Sequence, residues 1–233
     1  MGMFSTKEIW QRSGEGEGTM SANLYALSLA GFTSAGILFA GAMSLLSRNW
    51  HIEGWYSLIF ILCVMAMGLC GSAVCASSKK PAISLLGYGM VAGPFGLLLG
   101  PVVKLYPGAN VARAFFLTMA IVLILGIVGA IIPESLKSWG IWLLGALLIL
   151  IVATLAVPFL GLIGISVHMT LTVIDWVAIV IFSGFVIYDM NKAMHIPPTL
   201  DNAIDSAAAL FLDVFNIFIR ILSLMGGNSS SSK

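Results

Sequence analysis

Two aspartates, Asp189 and Asp213, stand in the two most C-terminal apolar stretches of the chain, FSGFVIYDM and AALFLDVFNIFIRIL. A carboxylate at the centre of a membrane-spanning helix costs about 2.5 to 3.5 kcal/mol on an insertion scale, so such residues face a bundle interior and carry ions or protons. If the two carboxyls touch, like-charge repulsion and desolvation both oppose double ionisation, and the pair titrates in two macroscopic steps. With one proton it bridges two helices by a carboxyl–carboxylate hydrogen bond. Fully ionised, it repels or recruits a cation.

Helical geometry extends this centre. Asp189 and Asp213 lie on consecutive antiparallel segments around the Pro197-Pro198 break, so a hairpin brings them to similar depth. On the last segment Ser206, Asp213 and Arg220 recur every seven residues, about 20 degrees apart per step, with Asn216 about 60 degrees away. Asp175 precedes Asp189 by fourteen residues at an offset of about 40 degrees, and Ser183 flanks that line. Ser183 and Asn216 are further oxygen donors for a weakly held cation. Two carboxylates alone hold a cation only weakly.

The elements that position these groups follow from composition. Hydrophobic residues form 59% and charged residues 9% of the 233, and mean hydropathy is +1.03, which marks an all-α integral membrane protein. A net charge of +1 leaves no basic face for nucleic acid. Stretches of about 20 apolar residues cross a bilayer, and the sequence predicts seven, at 22–46, 55–76, 82–103, 111–132, 139–160, 169–195 and 202–225. Residues 1–21, with SGEGEG, and 226–233, with GGNSSSSK, read as flexible polar tails around a transmembrane domain of 22–225. The first apolar stretch is too long for a signal-peptide core and reads as a retained helix. The short connections leave no room for an extramembrane domain, so any chemistry belongs to the bundle. Gly89, Gly93, Gly96 and Gly100 make a small-residue stripe for close helix packing in the third span, interrupted by Pro94 and Pro101. Cys63, Cys70 and Cys75 share one apolar segment at a spacing that suits neither zinc nor a disulfide framework, and read as packing.

Lys79 and Lys80 in a very short turn, with Lys192 beside Asp189, favour a cytoplasmic N-terminus. Compact length and short tails point to a bacterial inner membrane, with an internal eukaryotic membrane as the alternative.

FSGFVIYD, residues 182–189, followed by AALFLDVFNIFIRIL, residues 208–222, resembles the C-terminal signature of the Bax inhibitor family, the transmembrane Bax inhibitor motif proteins. The resemblance is specific over roughly the final fifty residues, including the separation of the acids. It implies six helices around a central seventh and a pH-sensitive calcium leak gated by Asp189 and Asp213, with no enzymatic activity, no cofactor, and calcium and protons as the ions handled. It also implies an arginine near the end of the second helix. Lys79 and Lys80 stand there instead, after Ser77 and Ser78, and lysine gives no bidentate clasp. Asp175 is a second departure, read as an outer cation site or as a residue at the outer interface near His168.

Other classes are weighed against this one. Phe211-Leu212-Asp213 lacks the GxGD context of intramembrane aspartyl proteases, and no PAL tripeptide follows. A retinal-binding pump needs a lysine in the seventh helix, and none lies between Lys192 and Lys233. A protein that binds and restrains other membrane proteins, such as a quality-control protease, remains as the alternative to a channel.

Overall fold

The computed structural model describes residues 18–51 and 54–227. The expected polar tails fall mostly outside the described residues. Among the described residues seven helices follow in order: α1 Ala22–Ser47, α2 Trp55–Ser77, α3 Pro81–Val103, α4 Gly108–Ile131, α5 Trp139–Leu162, α6 Val167–Met194 and α7 Leu200–Gly227. Each is long and apolar enough to cross a membrane, so the protein is an integral, multi-pass, all-helical membrane protein.

Local chemistry sets the ends of these helices. Ser21 is the N-cap of α1, its Oγ accepting from the Leu24 N–H at 3.3 Å. Pro81 opens α3, where its missing N–H costs nothing. Thr199 caps α7 through Oγ1, which accepts from the Asn202 N–H at 3.2 Å, while the Asn202 amide donates to the Pro197 carbonyl at 2.7 Å. The Pro197-Pro198 break is therefore a fixed turn tied to the first turn of α7, and α7 begins two residues before the expected 202.

The chain forms two compact units. One holds α1, α2, α3 and the first part of α7, through Phe211; the other holds α4, α5, α6 and α7 from Leu212 onward. In the first, α3 packs on both α1 and α2. Gly96 meets the Ala40 backbone and Gly100 the end of α1 at Ser44 and Ser47, while Gly71 of α2 and Gly87 of α3 face each other's carbonyls. Bare Cα atoms permit this approach. Gly93 sits on the Phe39 ring, but nothing lies within 4 Å of a side chain added at Gly89, so the packing stripe omits its first glycine.

Burial is graded in the way lipid requires. Among the described residues, large exposed apolar side chains occur on all of α1 to α6, for instance Leu27, Leu69, Leu86, Phe116, Ile149 and Val180, whereas on α7 only Leu200 at its start is so exposed. The spanning window of α7 is 56% buried and that of α5 11%.

Candidate functional site

In the second unit, the carboxyls of Asp189 of α6 and Asp213 of α7 lie side chain to side chain, within reach of a hydrogen bond. Two carboxyl groups bond to each other only if one carries a proton, so a bond between them belongs to the singly protonated pair. Asp213 is buried, whereas Asp189 keeps partial exposure. The Asp213 Oδ2 is enclosed without a hydrogen-bond partner. Val186 on α6 and Val214 and Ile217 on α7, close to the acids in sequence, are buried. Lys192, one turn beyond Asp189 on α6, supplies the attractive charge felt by Asp189, and the Tyr188 phenol in turn senses the Asp189 charge.

The other residues singled out in the sequence divide. Arg220 reaches Asp175, Nη1 to Oδ1 at 2.9 Å, with side-chain exposures of 23% and 5%. Asp175, which lines one cavity together with His168, is thus engaged in an ion pair. It is a buried partner, and Arg220 leaves the polar stripe of Asp213 to meet it. Asn216 donates to the Leu212 carbonyl of its own helix at 2.8 Å, which uses its amide locally. Ser183 is half-buried. Ser206 is buried in the first unit beside Tyr25. Lys79 and Lys80 are exposed at the turn into α3, where Ser78 Oγ accepts from the Lys80 N–H at 2.9 Å. Among the described residues, no three His, Cys, Asp or Glu side chains gather to hold a metal.

Sequence reasoning missed two polar anchors. Asn191, 1% exposed, accepts from the Leu136 N–H at 2.8 Å and offers its amide to the carbonyls of Gly129, Ile132 and Glu134 at 3.3, 3.1 and 3.1 Å. It caps the end of α4 from a neighbouring helix, satisfying carbonyls that a helix terminus leaves open. In the first unit Ser84 donates to Asp201 at 2.6 Å, and the Cys75 thiol donates to the Ser84 carbonyl at 3.3 Å, so Cys75 bonds as well as packs. Asp201 carried one sequence signal, an acid in the first turn of a helix. Asn191 carried none beyond being an amide in an apolar stretch.

A cavity of about 520 Å³ in the second unit is lined by Tyr106, His168, Thr172, Asp175, Trp176 and Ser223 among apolar neighbours. Burial, and then the Asp175 charge, hold the Tyr106 phenol above its ordinary range.

Comparison with known proteins fixes the family. The family model described as "Inhibitor of apoptosis-promoting Bax1" matches residues 23–230. The uncharacterized protein YrjE of Lactococcus lactis is 24% identical over 96% of this chain and 97% of its own length. An uncharacterized protein of Rickettsia prowazekii is 27% identical over 58% of each chain. A Golgi anti-apoptotic protein of vaccinia virus is 31% identical over 55% of this chain and 52% of its own. The matched stretch thus spans little more than half of the rickettsial and viral relatives. With that match over most of its length, seven spanning helices and the paired acids of the last two, the chain belongs to the Bax inhibitor family.

Proposed function

We propose that the protein is a calcium leak channel whose opening is set by protonation of the Asp189–Asp213 pair. The side-by-side placement of the two carboxyls is the observation that carries this reading. With one proton the pair ties α6 to α7 and keeps the path shut. Loss of that proton leaves two like charges in an apolar setting, and the helices part or admit a cation to separate them. A leak needs only weak, transient ligation, because the ion must also leave, and two carboxylates with nearby hydroxyl and carbonyl oxygens suit that better than a storage site would. Partial exposure of Asp189 supports a route for protons to the pair. The bacterial relatives and the lysines 79, 80 and 192 support a bacterial inner membrane with a cytoplasmic N-terminus.

A second reading has its own support. The vaccinia relative is named an anti-apoptotic protein, which suits a membrane protein that restrains others by contact, with the acid pair holding helices together. Purified protein in calcium-dye-loaded liposomes separates the two. The leak reading expects calcium entry that rises with pH; entry no greater than in empty liposomes at every pH overturns it and leaves the binding role.

A further inference from the structure

The C-terminal end of α6, which carries Asp189, is gripped by the α4–α5 hairpin. Gly129 of α4 lies so close to α6 that any side chain there would strike the Ile187 carbonyl, Gly126 faces Met190, and Gly140 of α5 leaves room for the Tyr188 hydroxyl. Asn191 fastens this grip, because one side chain bonds four backbone groups between Gly129 and Leu136. Two amide hydrogens serve three carbonyls while the amide oxygen takes the Leu136 N–H. A leucine would fit the same space and meet none of them.

Resting on the leak reading for its physiological meaning, we propose that Asn191 is the positioning residue of the acid pair: by capping α4 and holding the turn into α5 against α6, it fixes the rotation and depth at which Asp189 meets Asp213. Asn191 points about 200 degrees around α6 from Asp189, so it acts through the helix and not by contact. The ionisable groups that bear on Asp189 are Asp213 from α7 and Tyr188 and Lys192 from α6. The α4 and α5 residues that meet α6 include Gly126, Gly129, Gly140 and Leu143, and Glu134 and Lys137 lie in the turn that Asn191 holds. Freeing the turn therefore alters the pair by moving Asp189 and by letting those two turn charges shift.

The test is an infrared carboxyl titration of the purified full-length protein, with the band of the pair assigned by its loss in D189N and D213N, alongside calcium flux against pH. Asn191→Leu is expected to move the titration midpoint by at least about threefold in proton concentration, and the flux curve with it. An unchanged midpoint, with faster amide exchange at residues 134–136, would make Asn191 a staple of the turn only and overturn the proposal. Gly129→Ala, which presses a methyl on the Ile187 carbonyl, is the second variant if Asn191→Leu does not fold, and an unshifted midpoint there overturns it equally. A shifted midpoint in a protein that passes no calcium would sustain the positioning role while the leak reading fails.

Discussion

Arg220 leaves the acid on its own helix and bonds Asp175 of α6 at 2.9 Å, so α6 and α7 are joined by an ion pair as well as by the Asp189–Asp213 contact. The two links differ in kind. One is a permanent pair of opposite charges; the other depends on a proton.

Removing one member of the ion pair strands the other. Arg220→Met should destabilise the protein by about 3 to 5 kcal/mol, because it leaves a buried carboxylate uncompensated. Replacing both partners, by Asp175→Asn with Arg220→Met, should recover much of that loss. Thermal unfolding in one detergent compares the three proteins, and a single variant as stable as wild type would contradict the pairing.

Close backbone approach makes a second expectation. Gly96→Val should disrupt the packing of α3 on α1, since the first added carbon already meets the Ala40 backbone, whereas Gly89→Ala meets nothing within 4 Å and should be tolerated. Folded yield after size-exclusion chromatography distinguishes the two. Equal yields would show that α3 and α1 are not held as described.

Ser84→Ala deletes the 2.6 Å bond to Asp201 and leaves a carboxylate that is 1% exposed short of a donor. A loss of about 1 to 3 kcal/mol is expected. Asp201→Asn should cost less, since an amide oxygen still accepts from Ser84. The same thermal measurement checks the order, and the reverse order would mean that the Asp201 charge is held by something other than Ser84.

Tyr106 lies in the loop between α3 and α4, where burial and the Asp175 charge raise its phenol above the ordinary 10.0. Both states are neutral below that value, so no stability depends on it there. Above it the unfolded phenol ionises first, and stability falls as pH rises through the folded value. Difference absorbance between wild type and Tyr106→Phe should show this phenol ionising later than a free tyrosine, and Asp175→Asn should bring it part of the way back. An unshifted titration would remove Tyr106 from the cavity beside Asp175.

Much of the fold was legible because a bilayer imposes it. Apolar stretches of fixed length, broken at Pro81, at Pro197-Pro198 and at the charged turns, locate the seven helices to within a few residues. The acids Asp189 and Asp213 stood out because a carboxyl in lipid must have a purpose. Their joint contact follows from the hairpin. The seven-residue repeat with Asp213 shows that Arg220 shares a face of α7 with it but not which acid it meets: a long guanidinium side chain reaches across to whichever acid a neighbouring helix offers, and Asp175 offers one. Asn191 was invisible because its partners are backbone groups, which every sequence possesses and none advertises. Gly89 matched the spacing of its stripe, yet only the packed helices show which glycines touch.

Calcium entry into liposomes measured between about pH 5 and about pH 8, with wild type, Asp189→Asn and Asp213→Asn side by side, tests the acid pair most directly. Either substitution nearly preserves shape and removes the titrating group. The account predicts wild-type flux that rises with pH and a response flattened in both variants, each of them still folded. A full pH response retained in both variants would contradict it.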